Sequence, residues 1–265
     1  KPHVISNLFA TPRLEALSLE NELAWSTSII IHYGKTVSLF ARLKKQIDSQ
    51  IFLGNGKLAL DLLDELEFKC GLSLWSTSLR IGLLQYFFGL DSQKEWVANA
   101  SIQKPNPNLR FLMYWWSTAA EENTNADRYK KRINRLVQNW NLDDSVQAWV
   151  FYELNNEGRK SGYCADILTH AASASVIDLY EAILTVIERY TVGKNSAPQF
   201  VRESISTLSN RIDDFRLDKL SFLFGTSDDL PLVHVRYSIR YSDKKKVARI
   251  APESPEELVA VLWDS

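Results

Sequence analysis

Residues 73–89 read SLWSTSLRIGLLQYFFG, and this segment is apolar on two sides when it is drawn as a helix. Apolar residues that recur every three or four positions predict an α-helix. One stripe holds Trp75, Leu79, Gly82, Leu83 and Tyr86, and the other holds Ile81, Leu84 and Phe88. A helix with two apolar faces is normally sandwiched between neighbouring helices. The segment therefore predicts a layered helical fold with this helix in its interior.

Segments with one apolar stripe alternate with two-sided segments along the chain. The one-sided segments are 36–55, 56–71 and 126–140, and the two-sided ones are 107–123, 143–156 and 175–190. The connections between them are short, which favours antiparallel neighbours. With only 10 Gly and 8 Pro in 265 residues, the chain has few helix breakers. The sequence predicts a mainly α fold, with an array of antiparallel helix pairs over residues 1–225.

The paired units between residues 36 and 156 repeat with a period of about 33–37 residues. In period and burial pattern this segment resembles a tetratricopeptide-type helical array, an α-solenoid. The resemblance covers under half of the chain and does not extend to the consensus letters. The family has the order W-x2-L-G-x2-Y, whereas Trp75 is followed by Ser78 and Leu79 at the positions of the consensus Leu and Gly. It implies a helical scaffold that presents a concave surface to proteins or peptides.

The C-terminal segment has a different pattern. In PLVHVRYSIRYS (231–242) apolar and polar residues alternate strictly, which predicts a strand with one solvent-facing side. KVARIA (246–251) can return as a second strand, and SPEELVAVLW (254–263) has the cap and first turn of a short helix. We therefore expect a second unit at 226–265, a β-hairpin with a terminal helix packed on the array.

Charge and cysteine content exclude several classes of protein. The formal net charge of −1 provides no overall field that would attract nucleic acid or anionic lipid. Cys70 and Cys164 form no C-x-x-C pair and are expected to be reduced, structural thiols. No apolar run approaches the roughly 18 residues that a membrane span needs, and no signal peptide is visible at the start. We expect a cytoplasmic protein without a membrane partner and leave its oligomeric state open.

Motifs for catalysis, metal binding and phosphate binding do not appear in the sequence, so no cofactor or metal is expected. Aromatic residues are abundant, with 8 Trp, 10 Tyr and 12 Phe. Trp and Tyr are favoured anchors in binding grooves. The sequence favours a non-catalytic module that binds a protein or peptide in a groove along its inner helices. The candidate ligand-binding residues are Trp75, Tyr86, Tyr114, Trp116 and Trp149.

Two local basic clusters support nucleic-acid binding as an alternative. One comprises Arg128, Lys130, Lys131, Arg132 and Arg135 in helix 126–140, with Arg128, Arg132 and Arg135 on a common flank of the apolar stripe. The other comprises Arg236, Arg240, Lys244, Lys245, Lys246 and Arg249 in hairpin 234–249. They could contact phosphates, with Tyr237 and Tyr241 stacking on bases. The same clusters would suit an acidic protein partner, or would protect an exposed sheet edge from aggregation.

A third hypothesis is an enzyme whose site is assembled from distant residues, with His32, Cys164 and His170 as candidates. Cys164 and His170 are six positions apart, about 240° around a helix, so a single helix cannot aim both at one atom. His32 falls on the apolar stripe of Trp25 and Ile29, where a polar group would need a partner.

Overall fold

A computed structural model describes Ile5, Leu8 and residues 17–103, 105–121, 126–140, 142, 146–147, 149–150, 161–191 and 197–224. The regular structure of these residues is helical, so the prediction of a mainly α protein is confirmed. The helices are α1 (Leu19–His32), α2 (Gly34–Phe52), α3 (Gly56–Cys70), α4 (Leu74–Leu83), α5 (Gly89–Ile102), α6 (Pro107–Ala119), α7 (Ala126–Asn139), α8 (Ser161–Ala174), α9 (Val176–Thr191), α10 (Gln199–Ser209) and α11 (Phe215–Leu223). The predicted hairpin and terminal helix, 226–265, lie outside the described residues.

Ser73 begins α4 as a capping residue. Its hydroxyl accepts a hydrogen bond from the Ser76 amide at 2.9 Å, and the Ser76 hydroxyl accepts from the Ser73 amide at 3.2 Å. This reciprocal pair satisfies amides that have no partner within the helix. The helix expected over 73–89 ends at Leu83, and a π-helical turn, Leu84–Phe88, joins it to α5. Gly89 begins α5 with a positive φ of 87°, a conformation that glycine adopts readily.

The main hydrophobic core lies between α1–α4 and α8–α11. Its largest fully buried side chains include Phe40, Leu63, Leu66 and Tyr180. The predicted stripe of α3 faces this core, since Ala59, Leu63, Leu66 and Cys70 are buried. Helices α2 and α3 pack closely across the short turn between them, as expected for a helix pair. This packing is compatible with a helical-repeat fold.

Helix α1 adds contacts that the repeat pattern does not contain. It packs on α8, α9 and α10, which are more than a hundred residues away in the sequence, and α9 also contacts α2 and α4. In a one-dimensional array each unit contacts only its neighbours. The N-terminal and C-terminal helices of the described chain therefore share one core.

A second core lies between α5, α6 and α7. It contains Phe111 and Met113 of α6, Ile133 and Val137 of α7, and the first residue of α4, Leu74. The other end of α4, at Leu83, belongs to the main core. Helix α4 consequently joins the two cores through its two ends. Trp75, Leu79 and Leu83 of the first predicted stripe pack in the main core, whereas Tyr86 of that stripe and Phe88 of the second are exposed.

The carboxylate of Asp178 connects α9 to the beginning of α4. Its two oxygens accept hydrogen bonds from the amides of Leu74 and Trp75, both at 2.9 Å. One oxygen also accepts from the Ser175 hydroxyl at 2.7 Å, and that hydroxyl accepts from the Asp178 amide at 3.1 Å. Burial raises the pKa of Asp178 to about 6, against the opposing effect of these hydrogen bonds. A single buried group thus orders the start of two helices.

None of the described helices is long and apolar enough to cross a membrane.

Replacement of Asp178 by Asn is expected to change how stability depends on pH. Because the native pKa of about 6 exceeds the ordinary value of 3.8, the native state binds more protons than the unfolded state between these pH values. The free energy of unfolding of the unmodified protein should then fall by about 3 kcal/mol, relative to Asp178→Asn, as the pH rises from about 3 to about 7, with most of the change between pH 4 and pH 6. Urea unfolding at a series of pH values measures this difference. If the free energies of unfolding of the two proteins depend on pH in the same way, the raised pKa of the buried Asp178 carboxylate is contradicted.

Gly56, the first residue of α3, lies directly against Phe87 of the π-helical turn. A Cβ at position 56 would come within 2.2 Å of the Phe87 ring, whereas a Cβ at Gly82 in α4 would meet no atom within 4 Å. Gly56→Ala should therefore lower the free energy of unfolding by about 2–3 kcal/mol, a typical overpacking effect. Gly82→Ala is the matched control and should raise it by about 0.5–1 kcal/mol through helix propensity. Equal effects in thermal unfolding would show that the Gly56–Phe87 contact is absent.

Candidate functional site

Helix α6 carries three consecutive aromatic residues and directs them to different sides. Trp115 is buried, whereas Tyr114 and Trp116 are half-buried. The Trp115 carbonyl accepts a hydrogen bond of 2.9 Å from the Tyr129 hydroxyl, which attaches α7 to α6. Burial raises the pKa of Tyr129, so its phenol stays protonated and keeps donating across the neutral range. As a result, α6 and α7 form one platform with Tyr114 at its edge.

Tyr114 connects the aromatic side of this platform to the basic side of α7. Its ring stacks with Trp140 at a centroid distance of 6.4 Å, and Trp140 also meets Phe111 edge-on at 5.4 Å. Arg132 donates a hydrogen bond to the Tyr114 hydroxyl. The guanidinium carbon of Arg132 lies 5.6 Å from the centre of the Tyr114 ring, which adds a cation–π contact.

Beside Tyr114, α7 exposes a run of cationic side chains. Ile133 and Val137 face the second core and are buried. The exposed side of the helix carries Lys130, Lys131, Arg132 and Arg135. An open depression of about 450 Å³ is lined by Lys131, Arg132, Arg135, Leu136 and Asn139. We name these five residues, with Tyr114 and Trp140, the α6–α7 surface. Arg128 lies in the same helix.

Trp116 and Trp149 come together at a different place. Their rings meet edge-on at 6.2 Å, and Trp149 lies closer to Trp115, at 5.3 Å. The centre of the Trp149 ring also lies 5.7 Å from the centre of the His170 ring. Trp149 packs against both hydrophobic cores and is half-buried. This aromatic cluster therefore lies where the two cores meet.

The remaining two predicted ligand-binding residues lie away from α6. Trp75 meets Phe40 edge-on at 5.0 Å, and the Lys44 ammonium lies 5.2 Å from the centre of its ring. Tyr86, on the π-helical turn, is 79% exposed and contacts the neighbouring Phe87 ring at 4.8 Å. The five predicted aromatic residues therefore occupy separate positions: Tyr114 on the α6–α7 surface, Trp116 and Trp149 between the cores, Trp75 against the main core, and Tyr86 on the exposed turn.

The candidates for a composite enzyme site differ sharply in their surroundings. His32 is exposed at the end of α1, and Trp25 on the same stripe is 48% exposed, so His32 does not lie in an apolar environment where it would need a protein partner. Cys164 and His170 are both buried in α8. The described part of the chain contains no group of three side chains that could hold a metal ion. The predicted basic residues Arg236, Arg240, Lys244, Lys245, Lys246 and Arg249 lie outside that part.

The sequence analysis does not predict two ionic groups that connect neighbouring helices. Arg216 of α11 reaches Glu181 at 2.8 Å and Asp214 at 2.7 Å, and the Tyr180 hydroxyl donates to Asp214 at 2.8 Å. A second group joins Arg80 of α4 to Asp64 and Glu67 of α3. In each group one arginine joins two carboxylates from neighbouring elements, an arrangement that is typical of structural ion pairs. The partners of each arginine include residues 13 to 35 positions away, so no local signal in the sequence distinguishes them.

No protein family, curated protein or solved structure matches the chain at a significant level. The assignment of a function accordingly rests on the α6–α7 surface.

Proposed function

We propose that the protein is a non-catalytic module that binds a protein or peptide through the α6–α7 surface. The observation that carries this proposal is the stacked pair Tyr114 and Trp140 directly beside the exposed cations of α7. Tyr, Trp and Arg are the residues most enriched among those that dominate binding energy in protein interfaces. The packed helix pairs support a helical scaffold of the kind that the tetratricopeptide resemblance implies.

The arrangement of Tyr114 and Arg132 favours binding because both side chains are already held. The hydrogen bond to the Tyr114 hydroxyl and the cation–π contact with the Tyr114 ring restrain the Arg132 guanidinium in the free protein. Ordering a long side chain upon association typically costs about 0.5–1.5 kcal/mol, and restraint in the free protein reduces that cost. The depression of about 450 Å³ has room for one or two side chains of a bound segment.

The other predicted aromatic residues have different parts in this proposal. Trp116 and Trp149 support α6 from behind, since they pack where the two cores meet. Tyr86 remains a candidate for a contact outside the α6–α7 surface because it is largely exposed. Trp75 lies against Phe40 of the main core and contributes to the scaffold.

A peptide selection with the intact protein tests the proposal. A random peptide library displayed on phage is selected on the immobilised chain, and the enriched peptides are titrated into isotope-labelled protein. Their binding should shift the amide resonances of α6 and α7, including Tyr114 and Arg135, and leave those of α10 unchanged. Failure to enrich any peptide, or shifts confined to other helices, would count against the proposed function.

Nucleic-acid binding is the second candidate, and the exposed cations of α7 favour it. Cationic side chains that neutralise phosphates produce an affinity that falls steeply with salt. Fluorescent oligothymidylate and oligouridylate of 20 nucleotides should then bind at 20 mM salt and dissociate as the salt concentration rises. No change in anisotropy at 20 mM salt would eliminate this candidate.

A further inference from the structure

We infer that the ligand of the α6–α7 surface is an acidic protein segment, in which two or more carboxylates flank an apolar side chain. This inference rests on the proposed function and specifies the chemistry of the partner.

The two helices of the surface carry an excess of positive charge. The sequence of α7 contains five cationic residues and one acidic residue, Asp127, and the sequence of α6 adds Arg110 without any acid. Glu121, just after α6, is held by the Lys94 ammonium at 2.6 Å. A surface with such an excess of cations is complementary to a carboxylate-rich partner.

The spacing of the cations suits more than one carboxylate. Lys131 and Arg135 are four residues apart, so they lie one helical turn from each other on the same side of α7. Arg132 and Leu136 form the adjacent row, with Arg132 fixed by Tyr114. A guanidinium group binds a carboxylate through two parallel hydrogen bonds, which an ammonium group cannot do. Two arginines and a lysine around one depression can therefore bind two or three carboxylates.

An apolar component distinguishes a peptide from other polyanions. Leu136 lines the depression and is half-buried, and Trp140 follows it one turn later. A segment with an apolar side chain between its carboxylates would cover Leu136. A single-stranded nucleic acid would instead need exposed ring faces for its bases. Trp140 stacks with Tyr114 and the Arg132 guanidinium lies over the same ring, which leaves little of that ring for a base.

Fluorescence anisotropy with defined probes tests this inference on the intact chain. The probe is a labelled 14-residue peptide with six Glu around a central Leu-Phe pair. Three control probes are the peptide with Gln for every Glu, the peptide with Ser-Ser for Leu-Phe, and oligothymidylate of 14 nucleotides. The acidic peptide should bind at least about tenfold more tightly than the Gln peptide and several-fold more tightly than the Ser-Ser peptide.

Two charge-reversed variants localise the effect. Lys131→Glu with Arg135→Glu should weaken binding of the acidic peptide at least about tenfold. Lys45→Glu with Arg202→Glu changes the net charge equally on α2 and α10, where both residues are also exposed. This control pair should alter the affinity less than twofold. All four positions are exposed, so circular dichroism should show folded variants with nearly unchanged melting temperatures.

Absence of binding, equal affinity for the Gln peptide, or equal effects of the two variants would overturn the inference. If phage-selected peptides bind at α6 and α7 but contain no acidic residues, the inference that the partner is acidic is wrong, while the proposed function stands. The inference is also overturned if oligothymidylate binds more tightly than the acidic peptide and only the α7 variant fails to bind oligothymidylate. The surface then belongs to a nucleic-acid-binding protein.

Discussion

The buried carboxylate of Asp178 is the interaction on which the arrangement of the two cores depends. A charge removed from water is costly unless hydrogen-bond donors surround it. Two amides at the beginning of α4 and the Ser175 hydroxyl supply those donors. The carboxylate also lies at the N-terminal ends of α4 and α9, where helix dipoles favour negative charge. Since α4 contributes Leu74 to one core and Leu83 to the other, this contact helps to fix how the cores meet.

The proposed binding surface depends on the same scaffold. Helix α4 packs on α6, and the Tyr129 hydroxyl attaches α7 to the α6 backbone. Side chains on helices that are held at several points keep their positions better than side chains on loops. Tyr114, Arg132 and Arg135 stand on such helices, so the aromatic and basic groups are presented together. The surface combines the two sets of candidates that the sequence suggests for separate ligands.

Local patterns in the sequence predict several of the helices, and the segments 56–71 and 126–140 agree closely with α3 and α7. The stripe of α3 is confirmed, because apolar periodicity depends only on neighbouring residues. The cap at Ser73 is equally local, since its partner is Ser76. The sequence also contains a signal for Asp178, since Ser175 precedes it by three residues in a capping pattern. The second partner of Asp178 is the start of α4, about a hundred residues away in the sequence, and no local pattern predicts this contact.

Other features lie beyond local patterns for the same reason. The contacts of α1 with α8, α9 and α10 depend on tertiary packing, which periodicity does not encode. The π-helical turn at Leu84–Phe88 has the same apolar spacing as a continuing helix. His32 follows the stripe of Trp25, but it lies at the end of α1 beyond the buried part. For the α6–α7 surface, the sequence identifies Tyr114, Arg132 and Arg135 but not that they adjoin.

Hydrogen exchange at the amides of Leu74 and Trp75 tests the role of Asp178 most directly. Amides in the first turn of a helix have no partner within that helix and usually exchange rapidly. If the Asp178 carboxylate holds them, both should exchange as slowly as the amide of Ile81 within α4, through global unfolding only. Exchange of Leu74 and Trp75 at the rate of a fraying helix end, with Ile81 protected, would contradict the account.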